Sequence, residues 1–500
     1  MIRSHARLPL SAWALAVAPA LVGAPALPAR NPEAPVQDGE LAERLLRSGE
    51  RAYGAKSYKE ALDTWAQLIQ SAPKSDQAAQ ALLAMAHHQV VVEGKPEAAL
   101  PFLDRLKAEH IKSSVAAEAL LLRGEILAQL ARRPGDLKDA VAEFNRVLDL
   151  FPDHRAAAEA YAGLGRAARD QGQWGQALSR YTEAYRLAPE GPRAGRCLLE
   201  MAELLDLQGD LPGCLRLLQR VRLLAPQGPE AAEAAWRIQV RVRHRLQKPA
   251  LRLEGVWPAG KAKWLKTPTL LTLTGSGDVL VYQSDLDRAS LIRGGEAQFA
   301  GPLAPSAKAL VAGPKDAVIL VSPKVGVARD GGTTALPTLG SPTGAFLDRW
   351  GTLWVSDAKV SGLTLLGADG SSRTLPTPPA SALAPHPSGG AVLAADGNRA
   401  LLVVGPEGQT LLNIPYGKDL PAAYRSVVAL AADGAGQVAA LVEGGDFGEG
   451  VVVYGPDGAV LRSASFKALG VGGRITSLVL DRQGGILLCD RRNDTLFRLD

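Results

Sequence analysis

The stretch QGQWGQALSRYTEAYRLAPE, from Gln171 to Glu190, decides the first half of the fold. Trp174, Ala177, Tyr181 and Ala184 follow one another at intervals of three and four, so they share one face of a helix. Small alanines alternate with aromatic rings along that face, which lets a neighbouring helix come close. Pro189 ends the helix, because proline cannot continue the hydrogen-bond ladder. Upstream, Leu164-Gly165 marks a preceding helix whose glycine allows the pair to cross tightly.

The pattern recurs. Pro152, Pro189 and Pro226 are spaced 37 residues apart. Ala140, Phe144 and Val147 precede Pro152, and Cys214, Leu218 and Val221 precede Pro226 at the same offsets. An earlier unit carries Tyr58, Ala61, Trp65, Leu68 and Pro73, and Ala99, Leu103, Leu106 and Ile111 make a degraded copy without the proline. These residues resemble the tetratricopeptide repeat. The resemblance implies about five helix pairs between Asp38 and Leu246, stacked so that neighbours bury a core no single pair could bury alone. It also implies a concave groove that holds a peptide or a partner helix.

At 500 residues the chain is too long for one core, so two domains are expected. Composition is globular, with 47% apolar and 21% charged residues. The formal charge of +5 overstates the basicity: without Arg3, Arg7 and Arg30 it falls to about +2, which gives no reason to expect nucleic acid as a partner. Residues 1–29 read as an export signal, with Arg3 and Arg7 ahead of an apolar run from Leu8 to Val22 and small residues at Ala24-Pro25-Ala26. A flexible linker follows at 30–37. No cysteine lies near the boundary for lipid attachment, and no other stretch is long and apolar enough to span a membrane. The expected location is periplasmic or secreted, with an uncleaved anchor as the alternative. Cys197, Cys214 and Cys489 read as small buried residues rather than as a metal site or disulfide framework.

After Gln247-Lys248-Pro249 the helical period vanishes. Short β-type runs alternate with glycine turns in six modules, whose first strands begin near Leu270, Lys308, Gly344, Ser381, Val427 and Ile475. Gly275-Ser276-Gly277-Asp278, Trp350-Gly351, Gly389-Gly390, Gly434-Ala435-Gly436 and Gly484-Gly485 supply first turns, and motifs such as Asp330-Gly331, Asp369-Gly370 and Pro456-Asp457-Gly458 supply second ones. A meander repeated about every 40 residues is the sequence signature of a β-propeller blade. The segments LDRWGTLWVSDAKVSGLTLLGADG and LDRQGGILLCDRRNDTLFRLD resemble NHL-type and TolB-like six-bladed propellers; the second keeps an Asp-x-x-Asn pattern at Asp490 and Asn493. The last module ends after its third strand, and Leu251–Val256 alternates apolar and polar residues as a fourth strand would. The expected fold is therefore an α-solenoid over 38–246 followed by a propeller over 250–500 and closed by its own two ends. A pair of β-sandwiches is the alternative for the second half.

An acid follows the second strand in five modules: Asp285, Asp357, Asp396, Glu443 and Asp490. Such acids either ring a channel mouth and hold a cation or cap their own turns by accepting backbone N–H bonds. Recurrence in module after module favours the second role, since a catalytic residue should be unique. GVWPAGKA, from Gly255 to Ala262, nearly matches a phosphate-binding loop, but Ala262 stands where a hydroxyl must hold magnesium, and no helix-length segment follows. His386 is the lone histidine of the second half, too few for the zinc chemistry of propeller lyases. His87-His88 reads as surface polarity. Arg237, Arg241, Arg243, His244, Arg245 and Lys248 read as a solvated basic face, with weak contact to an anionic surface as the functional alternative; Ala231, Ala235, Ile238 and Val242 form the expected buried seam. No catalytic residue, cofactor or metal is expected. The resemblances imply an exported envelope scaffold that binds one protein in the repeat groove and a second on the propeller face. A calcium-dependent propeller hydrolase or lactonase, or a small-ligand or glycan sensor, is the alternative.

Overall fold

The computed structural model describes residues 36–247, 249–257, 264–293, 296–329, 332–334, 340–416, 424–481 and 484–500. The leader 1–29, the linker up to residue 35, Lys248, most of the phosphate-loop-like segment (258–262) and the Asp330-Gly331 turn lie outside the described residues. Internal contacts divide the chain into two compact units. One holds the helices up to Ala167 together with Glu183–Pro189; the other holds Ala168–Thr182 and Glu190–Asp500.

The first unit is built from α1 (Val36–Gly54), α2 (Tyr58–Ser71), α3 (Asp76–Val91), α4 (Leu100–Glu109), α5 (Ala116–Leu130), α6 (Lys138–Leu150) and most of α7 (Ala156–Asp170), each packed on the next where the chain turns back. The residues singled out by the repeat form its core: Ala61, Trp65, Ala140 and Phe144 are buried, and Tyr58 is half-buried. The Phe144 ring on α6 fills the place where a Cβ on either Gly124 or Gly163 would stand, at 2.7 and 2.6 Å, so glycines on the flanking helices α5 and α7 admit one aromatic wedge. Pro73 and Pro152 sit two residues beyond the ends of α2 and α6, as helix stops. His88 corrects the surface reading of the His87-His88 pair. It is buried, 5.8 Å from the Tyr53 ring and 5.3 Å from that of Tyr58, because those rings give the imidazole an aromatic lining.

Helix α8 (Trp174–Leu187) buries Ala177, Tyr181 and Ala184, leaves Trp174 half-buried, and is followed two residues later by Pro189; Gly165 is buried on α7. The second unit continues with α9 (Ala194–Leu207), α10 (Leu211–Leu224), followed by Pro226, then α11 (Pro229–Arg241) and a π-helical turn at Val242–Gln247. Its β part comprises six four-stranded antiparallel sheets. The innermost strands, β2 (Pro268–Leu273), β6 (Ala309–Ala312), β10 (Pro342–Leu347), β14 (Ala382–Pro385), β18 (Ser426–Ala432) and β22 (Ile475–Leu480), contact one another in cyclic order, with β22 against β2. That circuit makes a six-bladed propeller and excludes paired sandwiches. In the last blade, β23 (Ile486–Asp490) lies between β22 and β24 (Thr495–Leu499), and the first strand of the unit, β1 (Leu253–Trp257), completes the sheet beside β24. Val256 pairs with Phe497 and Leu253 with Leu499, which removes the open sheet edge.

The buried seam of α11 differs from the one its apolar spacing suggests. Ala235 is exposed and Ile238 half-buried, while Ala231, Ala234, Arg237, Val240 and Arg241 are buried. Arg245 and His244 are buried as well and Arg243 is half-buried, so among the described residues the basic run is not a solvated face. The physical reason is pairing: each buried guanidinium meets a carboxylate of a neighbouring helix, and a paired charge can be buried where a lone one cannot.

Candidate functional site

In each propeller blade the first hairpin turn and the residue ending the second strand lie at opposite ends of that strand. The five acids noted in the sequence therefore occupy one face of the propeller and the first turns the other. The geometry divides the acids. The Asp357 carboxylate accepts backbone N–H bonds from Gly340, Ser341, Lys359 and Val360 at 2.7–3.1 Å. Asp490 accepts from the backbone of Arg474, Arg492 and Asn493 and from the Asn493 side-chain amide at 2.6–3.3 Å. Asp396 receives the Tyr416 hydroxyl and the Val427 N–H at 3.4 Å, and Glu443 the Ser426 hydroxyl at 3.2 Å. Asp285 is exposed. Among the described residues, no group of three or more His, Cys, Asp or Glu side chains is placed to hold a metal ion.

The first-turn face holds residues that the sequence reading passed over. Asp348, Asp433 and Asp481 each open a first turn, and each accepts backbone N–H bonds from it: Trp350 and Thr352 on Asp348, Ala435 and Gln437 on Asp433, and Gly485 on Asp481, all at 2.8–2.9 Å. In the fourth blade the same place is taken by His386. Its Nδ1 accepts the Ser388 N–H at 3.2 Å and lies 2.8 Å from the Ser388 hydroxyl. A backbone amide can only donate, so the ring proton resides on Nε2. Aligning the segments that begin at Asp348, His386, Asp433 and Asp481 would have exposed this substitution in the sequence.

Within the same unit this face packs against helices. Arg349 pairs with Asp170 at the end of α7. Gly484, at φ +80°, approaches His244 so closely that a Cβ there would lie 2.5 Å from Nε2. Gly484→Ala is expected to cost about 1–3 kcal/mol, from a left-handed backbone and an overpacked contact together, read as a lowered urea midpoint. A midpoint unchanged from the parent would show that the helices do not press on this turn.

On the helix side, charges form a closed circuit. Arg169 pairs with Glu200 at 2.5 Å and Glu203 at 2.8 Å, Glu203 with Arg237 at 3.1 Å, and Arg237 with Glu233 at 2.7 Å. Glu233 reaches Arg196 at 3.6 Å, and Arg196 returns to Glu200 at 2.6 Å. Beside it, Asp206 binds Arg241 at 2.7 Å and also pairs with Arg245. The partners on different helices are 31 to 39 residues apart, about one repeat along the chain.

Between the two faces lies a cavity of about 360 Å³, walled by Trp236, Arg237 and Arg241 on one side and by Asp348, Arg349, His386 and Asp433 on the other. Burial pushes the Asp348 and Asp433 carboxyls above their usual range. Burial also depresses His386 to about 4, so it is neutral at pH 7. The unfolded chain takes up that proton near pH 6.5 and the native chain only near 4. Stability is therefore fully present above 6.5 and falls by up to about 3 kcal/mol as pH drops from 6.5 to 4. His386→Asn should flatten that part of the pH–stability curve; coincident curves would show that the imidazole is not held neutral.

A family model of the tetratricopeptide repeat matches residues 117–190, and a second matches 168–236. Residues 117–236 are tetratricopeptide repeats. The arginine–glutamate circuit thus joins the first helices of consecutive tetratricopeptide units, α7, α9 and α11. A curated relative, the probable biofilm formation methyltransferase WspC of Pseudomonas putida, is 39% identical over 98 residues, 19% of this chain; the chain spans 22% of that protein's length. Among solved structures, a streptogramin B lyase is 13% identical, with a TM-score of 0.37 over 50% of this chain and 97% of that one. MamA is 16% identical, with a TM-score of 0.31 over 38% of this chain and 94% of its own. The pairing of tetratricopeptide repeats with a propeller is, in general terms, an architecture for protein–protein interaction. No described helix is long and apolar enough to cross a membrane.

Proposed function

We propose that this chain is an exported scaffold of the bacterial envelope, joining one protein held by its tetratricopeptide groove to a second held on the propeller. It acts by binding rather than catalysis. The observation that carries this reading is the state of the propeller acids. Asp357 and Asp490, buried on the face where the recurrent acids gather, have their carboxylates engaged by backbone and amide N–H donors. An oxygen so engaged is a poor ligand for a cation. The helical groove is left as the surface for a partner, and the leader-like residues 1–29 support export.

Photo-crosslinkers placed in cells on α3 and α5, and separately at Asp285 on the propeller, should each recover a reproducible protein, with a different protein from each surface. Recovery of none from either would sink the scaffold. Metal analysis of the purified chain provides the opposing outcome, since one tightly bound calcium per chain would favour the hydrolase. A C-terminal alkaline phosphatase fusion should be active if the chain is exported, and an inactive, stable fusion would place it inside the cell.

A further inference from the structure

The cavity between the first-turn face and α11 is distinctive in what it leaves unused. His386 is 3% exposed and Arg241 2% exposed, and both line the cavity. Arg241 directs Nε to Asp206 and Nη1 to the Arg237 carbonyl, which leaves Nη2 without an acceptor among the described residues. His386 hydrogen-bonds through Nδ1, and its ring stacks on that of Trp174 at 6.3 Å, so its Nε2–H is likewise without an acceptor among the described residues. Both donors open onto the cavity, where water or a ligand can accept from them.

The charge balance narrows what that ligand can be. Asp348 and Asp433 line the cavity, each accepting backbone N–H bonds from its own turn, with Arg349 and Arg241 respectively near enough to favour the charged carboxylate but within 4 Å of neither. An anion would meet two carboxyl groups, and a cation would meet the guanidiniums of Arg241 and Arg349 and the His386 N–H. A neutral molecule rich in hydroxyl oxygens avoids both conflicts: its oxygens accept from His386 and Arg241, and its hydroxyl protons reach the remaining lone pairs of Asp348 and Asp433. Trp236 adds an apolar wall on which the C–H face of a sugar ring can lie. The cavity's volume of about 360 Å³ is at the lower end of the range of about 300–1,000 Å³ usual for small-molecule sites. We propose that this cavity is a binding site for a small neutral saccharide, held between the last repeat helices and the propeller.

The proposal goes beyond the scaffold reading and is tested apart from it, because no protein partner enters the experiment. The full chain is titrated with glucose, N-acetylglucosamine and their β-1,4-linked disaccharides, followed by saturation-transfer NMR and calorimetry. Inorganic phosphate and tetramethylammonium serve as the anionic and cationic arms. At least one saccharide should bind saturably, and neither ion should. His386→Asp keeps the turn, since aspartate holds that place in three other blades, but removes the Nε2–H; affinity should fall roughly tenfold or more. Arg241→Lys keeps the charge beside Asp206 but removes Nη2, and should weaken binding comparably if the first variant fails to fold. Absence of saccharide binding, preference for either ion, or wild-type affinity in a folded variant would overturn the assignment; water alone would then occupy the cavity.

Discussion

Asp206→Ala is expected to destabilise the second unit by about 3–5 kcal/mol, the cost of leaving a buried charge without its partner. Asp206 is 1% exposed and is the shared partner of two guanidiniums, Arg241 at 2.7 Å and Arg245, themselves 2% and 9% exposed. Asp457 stands 3.7 Å from Arg245 and offsets part of one charge, whereas Arg241 keeps only the more distant Glu203 and Asp433. Asp206→Asn should be nearly as damaging, because it keeps the shape and loses the charge. Replacing the whole group with apolar residues of similar volume, Asp206→Leu with Arg241→Met and Arg245→Met, should recover much of the loss, since desolvation is then avoided on both sides. Urea unfolding followed by tryptophan fluorescence measures all three. A loss below about 1 kcal/mol for Asp206→Ala would mean that water reaches the guanidiniums and that the pairing contributes little.

The same residues show where the sequence could be read and where it could not. Trp174, Ala177 and Tyr181 were legible because side chains packed on one helix face repeat with the helix itself. The six blades were legible because each tight turn needs glycine, and the closing strand because Leu251 to Val256 alternates as a half-buried strand must. The arginines of α11 were misread because a charge on a helix is normally solvated. Their partners lie one repeat upstream, beyond the three or four residues over which helical charge patterns are usually inspected. Comparing Arg237 with Glu203, or Arg241 with Asp206, across one repeat length would have revealed the complementarity. The cavity was illegible for a different reason. It exists only where helix and turn residues far apart in sequence meet, and no local pattern records that Arg241 faces His386.

Phe144→Ala should cost the first unit about 3–5 kcal/mol, the usual loss for removing a buried aromatic ring. The ring is 1% exposed and wedged against two helices, α5 and α7, at Gly124 and Gly163. The two glycines make the sign of a second change invertible. In the parent chain Gly163→Ala places a methyl 2.6 Å from the ring, and something must shift, so the change should destabilise by about 1–3 kcal/mol. In Phe144→Ala the same methyl enters the vacated space, where it restores contact and adds helix propensity, so the change should stabilise. The two substitutions therefore depart from additivity by more than about 1 kcal/mol, as expected for residues that share one volume. Gly124→Ala should behave alike, its methyl standing 2.7 Å from the same ring. Additive losses in the double variants would show that the helices close over the missing ring. Spacing along the stack would then be set by the remaining aliphatic contacts rather than by the aromatic wedge.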